Sequence, residues 1–117
     1  MSILVPGIVN DATSIALTHE AVPAEQSIAG NPTTGAVELG AFGDAEIGIW
    51  EMSVGTMSDV EADEVFVVLS GRATVELEPG GPDAETIEIS AGSVVRLAGG
   101  TRTIWTVTET LRKVYIS

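Results

Sequence analysis

The 117-residue chain has no cysteine, one histidine and only five basic side chains. Disulfides and thiolate chemistry are thereby excluded, and imidazole chemistry is confined to His19. Against 17 acidic residues, the five Lys and Arg leave a formal charge of −12. Such a surface repels phosphate backbones and anionic headgroups, so neither nucleic acid nor membrane is an expected partner. The acidic excess itself reads as a solubility feature. No apolar run approaches the roughly 20 residues of a spanning helix. Met1 to Pro6 lacks the basic flank and long apolar core of a signal peptide, so a soluble cytoplasmic protein is the default expectation.

What is present is strand-like. Hydrophobic residues make up 44% of the chain, enough for one sizeable core in one domain. Gly and Pro punctuate short apolar runs, as in an all-β chain. In Ala73–Glu78, Val75 and Leu77 alternate with Thr74, Glu76 and Glu78. In Glu85–Ile89, Ile87 and Ile89 alternate with Thr86 and Glu88. Alternation of period two gives one buried and one wet face, and the Pro79–Asp83 connector makes the pair a hairpin. Further strands are expected over 46–54, 65–70, 94–97, 103–108 and 112–116. Val65–Leu69 is apolar at every position, which predicts cover on both faces, inside a sandwich or at a subunit contact. The first 40 residues are less regular, with edge strands and a loop around Pro23 and Gly30–Pro32; the nearest helical signal is Ala21–Ile28. Many short strands with regular turns predict a barrel or a jelly roll, which hides its sheet edges.

Two stretches sharpen this. Gly55 to Gly71 resembles the first cupin motif, in which a Gly opens a strand and a Glu stands seven residues before a turn Gly. Glu64 and Gly71 have that spacing. Gly92, Ala98-Gly99-Gly100-Thr101-Arg102-Thr103 and Val107 match the spacing of the second motif, with Ala98 where Pro is common. Trp50-Glu51, Trp105 and Arg112-Lys113-Val114-Tyr115 are similar to the small single-domain cupins related to ureidoglycine aminohydrolase and the ethanolamine-utilisation cupins. The resemblance implies an all-β, single-domain cupin: a double-stranded β-helix, or jelly-roll barrel. Its core spans 46–117, and residues 1–45 form N-terminal strands or an arm packing on the barrel or on a partner subunit. It also implies a C₂ homodimer.

In metal-binding cupins two His and the Glu of the first motif, with one His of the second, hold the ion. Here the first-motif region reads Met57-Ser58-Asp59-Val60, and the second-motif position is Thr103. Only Glu64 survives, a poor donor set for a transition metal, so no cofactor is expected. Asp59, Glu61, Asp63 and Glu64 offer oxygens suited to a hard cation, or simply a solvated acidic loop. Asp63 and Glu64 are adjacent on a strand and face opposite ways. His19 lies outside both motifs and reads as a surface or loop residue.

Strand parity groups the remaining residues. If Glu64 faces inward, Phe66 and Val68 follow. Thr103 and Trp105 share a face, as do Lys113 and Tyr115, and Trp50 and Met52. Trp50, Met52, Phe66, Thr103 and Trp105 would line a largely apolar pocket for a small organic ligand, with Glu64, Lys113 and Tyr115 as its catalytic groups. Glu64 beside Lys113 or Tyr115 would be an acid/base pair of an isomerase, lyase or hydrolase-type enzyme. Alternatively, Glu64 and Lys113 form an ion pair that fixes the barrel, the tryptophans fill its interior, and the protein is a non-catalytic binding or accessory module. Arg96 and Arg102 either steer an acidic substrate or pair with the excess carboxylates.

Overall fold

The computed structural model describes residues 2–117. The elements are β1 (Glu20–Ala21), β2 (Ser27–Ala29), β3 (Thr33–Phe42), β4 (Ala45–Met52), β5 (Gly55–Val60), β6 (Glu64–Leu77), β7 (Glu85–Ser90), β8 (Val94–Leu97) and β9 (Arg102–Ile116). Every pairing is antiparallel. The chain is the all-β barrel expected from its turns and alternation, and its strands double back as the resemblance to a jelly roll implies.

Two long strands organise the molecule. β6 and β9 run beside each other from Val65↔Ile116 to Leu77↔Thr103, with register shifts between Val68 and Ala73. The outer end of β9 also pairs with β4, and its inner end with β5. The free edge of β6 takes β8 along its first half and β7 along its second. One half of the barrel therefore reads β1-β3-β4-β9-β6-β8, and the other β2-β5-β9-β6-β7. Gly71 sits among the register shifts at φ +94°, where a Cβ would overlap the Thr110–Leu111 backbone. The motif glycine is therefore a requirement of this corner.

Side chains from both halves meet in one core: Met52, Phe66, Val68 and Leu97 from the first, Met57, Val75, Ile89, Trp105 and Val107 from the second. The hairpin register pairs Val75 with Ile87 and Ala73 with Ile89. The outward side chains Val65, Val67 and Leu69 are half-buried within the single chain, so the expected cover on both faces of this stretch is incomplete.

The N-terminal third is more ordered than its sequence suggests. β3 pairs with β4 along almost its whole length, from Thr34↔Met52 to Phe42↔Ala45. Residues 2–18 lie without regular structure against this outer face, with the Ile3 amide donating to the Leu39 carbonyl at 2.8 Å. The Arg112 guanidinium fixes the arm. It donates to the carbonyls of Ala12 and Ile15 and, through Nε, to Glu51 Oε2, each at 2.9 Å. The helical signal at Ala21–Ile28 is overturned: the segment forms β1, a turn in which Gln26 N donates to Pro23 O, and β2. Pro23 and the pairing of β2 with β5 override a short local preference.

Candidate functional site

The site lies where β4, β5, β6 and β9 converge at one mouth of the barrel. Trp50 of β4 is the cross-strand partner of Lys113 on β9, and Phe66 of β6 is the partner of Tyr115. Glu64 opens β6 one residue beyond the exposed Asp63. Asp63 turns outward to accept from Gly99 N at 2.8 Å and from Arg96 at 3.3 Å. Parity then brings Glu64 inward.

Both carboxylate oxygens of Glu64 lie 3.2 Å from Lys113 Nζ. The lysine side chain is 5% exposed and that of Glu64 12%. Three rings enclose the ammonium: Phe66 at 4.2 Å, Trp50 at 4.7 Å and Trp105 at 4.8 Å from Nζ to the ring centroids. Trp105 packs against Trp50 and Phe66 at centroid distances of 5.5 and 5.8 Å. Burial pushes the Lys113 ammonium below its ordinary 10.5, against the opposing pull of Glu64.

A second polar layer adjoins this one. Glu61 Oε2 accepts from Thr103 Oγ1 at 2.6 Å and from Trp105 Nε1 at 3.1 Å, which fixes the indole. Burial, then repulsion from Glu61, raises the half-buried Asp59 above its ordinary 3.8. Tyr115 donates to Glu46 Oε2 at 2.8 Å. Its phenol is raised well above the ordinary 10.0 by burial and by that bond, so it stays a neutral donor. A cavity of about 340 Å³ opens here, walled by Trp50, Asp59, Glu61, Glu64, Lys113 and Tyr115 among others.

Of the residues singled out from sequence, Glu64, Lys113, Trp50 and Trp105 come together at the cavity. Tyr115 reaches the same wall, but its hydroxyl is tied to Glu46 and not to Glu64. Three do not reach the wall. Met52 is fully buried in the core, Phe66 backs the lysine from the interior side, and Thr103 is spent on Glu61. Parity gave their face correctly but not their depth along the barrel axis. Glu46 carries no sequence signal for this site, while Asp59 and Glu61, read from sequence as hard-cation oxygens or a solvated loop, line the cavity instead. A stronger signal is that Lys113 is the only lysine in the chain.

The other arginines singled out from sequence pair with carboxylates. Arg96 pairs with Asp63 and Arg102 with Glu78 on the surface. His19 stands in the irregular stretch just before β1, where its side chain is held: Nε2 lies 2.7 Å from Glu51 Oε1 and Nδ1 2.8 Å from Thr33 Oγ1. An ionised Glu51 can only accept, which puts a proton on Nε2.

The residues do not fit a cupin transition metal. The motif glutamate has both oxygens on an ammonium, the second-motif threonine is bonded to Glu61, and the histidine is on the outer face of β3 and β4. Among the described residues, no group of three or more His, Cys, Asp or Glu is placed to hold an ion. The acidic stretch 59–64 is divided between the barrel mouth and the outer surface. Among the described residues, no helix is long and apolar enough to cross a membrane.

A family model described as the EutQ-like cupin domain matches residues 39–115. Among solved structures, a putative ethanolamine utilization protein Q from Salmonella typhimurium superposes with a TM-score of 0.59 at 20% identity, over 71% of this chain and 67% of that one. A DUF861-family protein of unknown function from Pseudomonas syringae gives a TM-score of 0.70 at 24% identity, over 88% of this chain. This chain spans 44% of that protein's length. A DUF861-family protein from Thermotoga maritima is 31% identical over 57% of this chain and 73% of that one, with a TM-score of 0.51. No curated protein matches the sequence. The first two likenesses establish the fold alone. The family model covers well over half of the chain, including both motifs and the Glu64–Lys113 pair, and the chain belongs to the EutQ-like cupin domain family.

Proposed function

We propose that the barrel mouth binds a small polar metabolite without a transition metal and acts on it by proton transfer. Glu64 is the base and Lys113 the acid. The observation that carries this reading is the Glu64–Lys113 pair at the wall of an open cavity, enclosed by aromatic rings. A carboxylate and an ammonium in a desolvated pocket exchange protons with a bound ligand more readily than the same groups in water. A purely structural ion pair has no need of a cavity beside it. Tyr115 holds an orienting hydrogen bond on the rim and takes no proton.

Both tryptophans of the chain belong to this site, so intrinsic fluorescence reports on it alone. Titration with small neutral or cationic metabolites is expected to shift the emission saturably and to raise the melting temperature. If no compound moves either signal, the ligand reading fails. If Mn²⁺, Ni²⁺ or Zn²⁺ stabilises the protein at stoichiometric concentration, the metal-independent reading fails.

A further inference from the structure

The chain carries one lysine, and it is buried. An acidic protein gains solubility and surface pairing from lysines outside, yet here all other cations are arginines and the single primary amine of a side chain faces a cavity. Stability does not explain it. A buried ion pair roughly balances its desolvation cost, and well-packed apolar residues in its place are often at least as stable. A fixed positive charge does not explain it either, because a guanidinium supplies that more durably. What a lysine has and an arginine lacks is an amine that can lose its proton and become a nucleophile.

We propose that Lys113 forms a Schiff base with a small uncharged aldehyde or ketone held in the mouth cavity. The inference rests on the ligand-binding reading above. Glu64 takes one proton from the ammonium. The freed lone pair of Nζ attacks the carbonyl carbon, and one of the two protons left on the attacking nitrogen passes to the carbonyl oxygen, which becomes the hydroxyl of a neutral carbinolamine. That hydroxyl receives the proton held by Glu64 and leaves as water, while the nitrogen lone pair closes the C=N bond. The balance is ammonium plus carbonyl giving iminium plus water, with no oxidant or reductant. The iminium keeps one positive charge where the ammonium had it, so the Glu64 carboxylate and the faces of Trp50, Phe66 and Trp105 suit the product as they suit the start. Desolvation by the same rings enlarges the neutral amine fraction.

The wall sets the ligand class. Glu46, Asp59, Glu61 and Glu64 face the cavity against one ammonium, which disfavours keto acids and other anions. A volume of about 340 Å³ limits the ligand to a small molecule.

The test is reductive trapping. The folded protein is incubated with propanal and cyanoborohydride at pH 7 beside an equal concentration of Nα-acetyl-lysine, and the products are read by intact mass and peptide mapping. Lys113 is expected to be alkylated about tenfold faster than the free amino acid, and faster than in urea-unfolded protein. Pyruvate is expected to trap more slowly than propanal. Glu64→Gln, checked for folding by its NMR spectrum, is expected to slow trapping by at least about tenfold. If the reference is consumed while Lys113 of the folded protein stays unmodified, the inference is overturned. It is equally overturned if unfolding accelerates the reaction. A ligand that shifts tryptophan emission without any trapped adduct would remove this inference and leave the binding reading standing.

Discussion

The phenol of Tyr115 fills the space that a side chain at position 48 would need, and Gly48 is its direct cross-strand partner. Gly48→Ala must therefore displace the ring, break its bond to Glu46 and crowd the barrel mouth. The expected loss is about 1–3 kcal/mol, read as a lower urea midpoint, together with weaker ligand-induced fluorescence change. Adding Tyr115→Ala should cost little more than Gly48→Ala alone. Strictly additive losses would show that the two positions do not share this space.

The Glu64–Lys113 pair should be strongly coupled. Lys113→Met leaves a carboxylate in an aromatic-lined pocket without its counter-charge, a change expected to cost about 3–5 kcal/mol. Combining it with Glu64→Gln removes the stranded charge and should recover much of that loss. The measurement is a double-mutant cycle by chemical denaturation. A coupling near zero would mean that solvent, and not the partner, satisfies each group.

The outer network gives a pH signature. Burial alone would raise Glu51, but hydrogen bonds from Arg112 and His19 outweigh it and hold the carboxyl below its ordinary 4.5. A depressed carboxyl binds fewer protons folded than unfolded. Its stabilisation is therefore complete above pH 4.5 and lost as pH falls through the folded value. Asp59, raised by burial, contributes the opposite sign and must be subtracted. The melting-temperature difference between wild type and Glu51→Gln isolates the first effect. It should be largest near neutrality and shrink towards about pH 3. A constant difference across that range would assign the network no role in acid stability.

Sequence pattern revealed the strands whose faces differ and missed those whose faces do not. The hairpin of Val75 and Ile87 was readable because one side is core and the other water. β3 was not, because its alternation is broken by Gly35, Gly40 and the register shift between Glu38 and Gly40, and its outer face is covered by the arm. The 65–70 and 73–78 runs, like 103–108 and 112–116, read as separate strands; each pair is one strand bent at a corner. At the site, motif spacing located Glu64 and parity brought Lys113 to the same wall. Neither could show that Thr103 serves Glu61 or that Tyr115 serves Glu46, since those choices depend on the distance between side chains on strands far apart in sequence.

The grip of Arg112 on the carbonyls of Ala12 and Ile15 has a kinetic consequence. Those groups are about 100 positions apart along the chain, so this anchor of the arm cannot form until β9 exists, whereas the Ile3–Leu39 bond needs only β3. The hold of Arg112 on residues 12–15 is therefore made late, after nearly every strand that forms the core. Closing so long a loop also gives the fold a high contact order, which slows its formation. Before that closure the outer face of β3 and β4, with Leu39 and Ile49, is less firmly covered, and incompletely covered apolar surface is what makes a folding chain prone to aggregate.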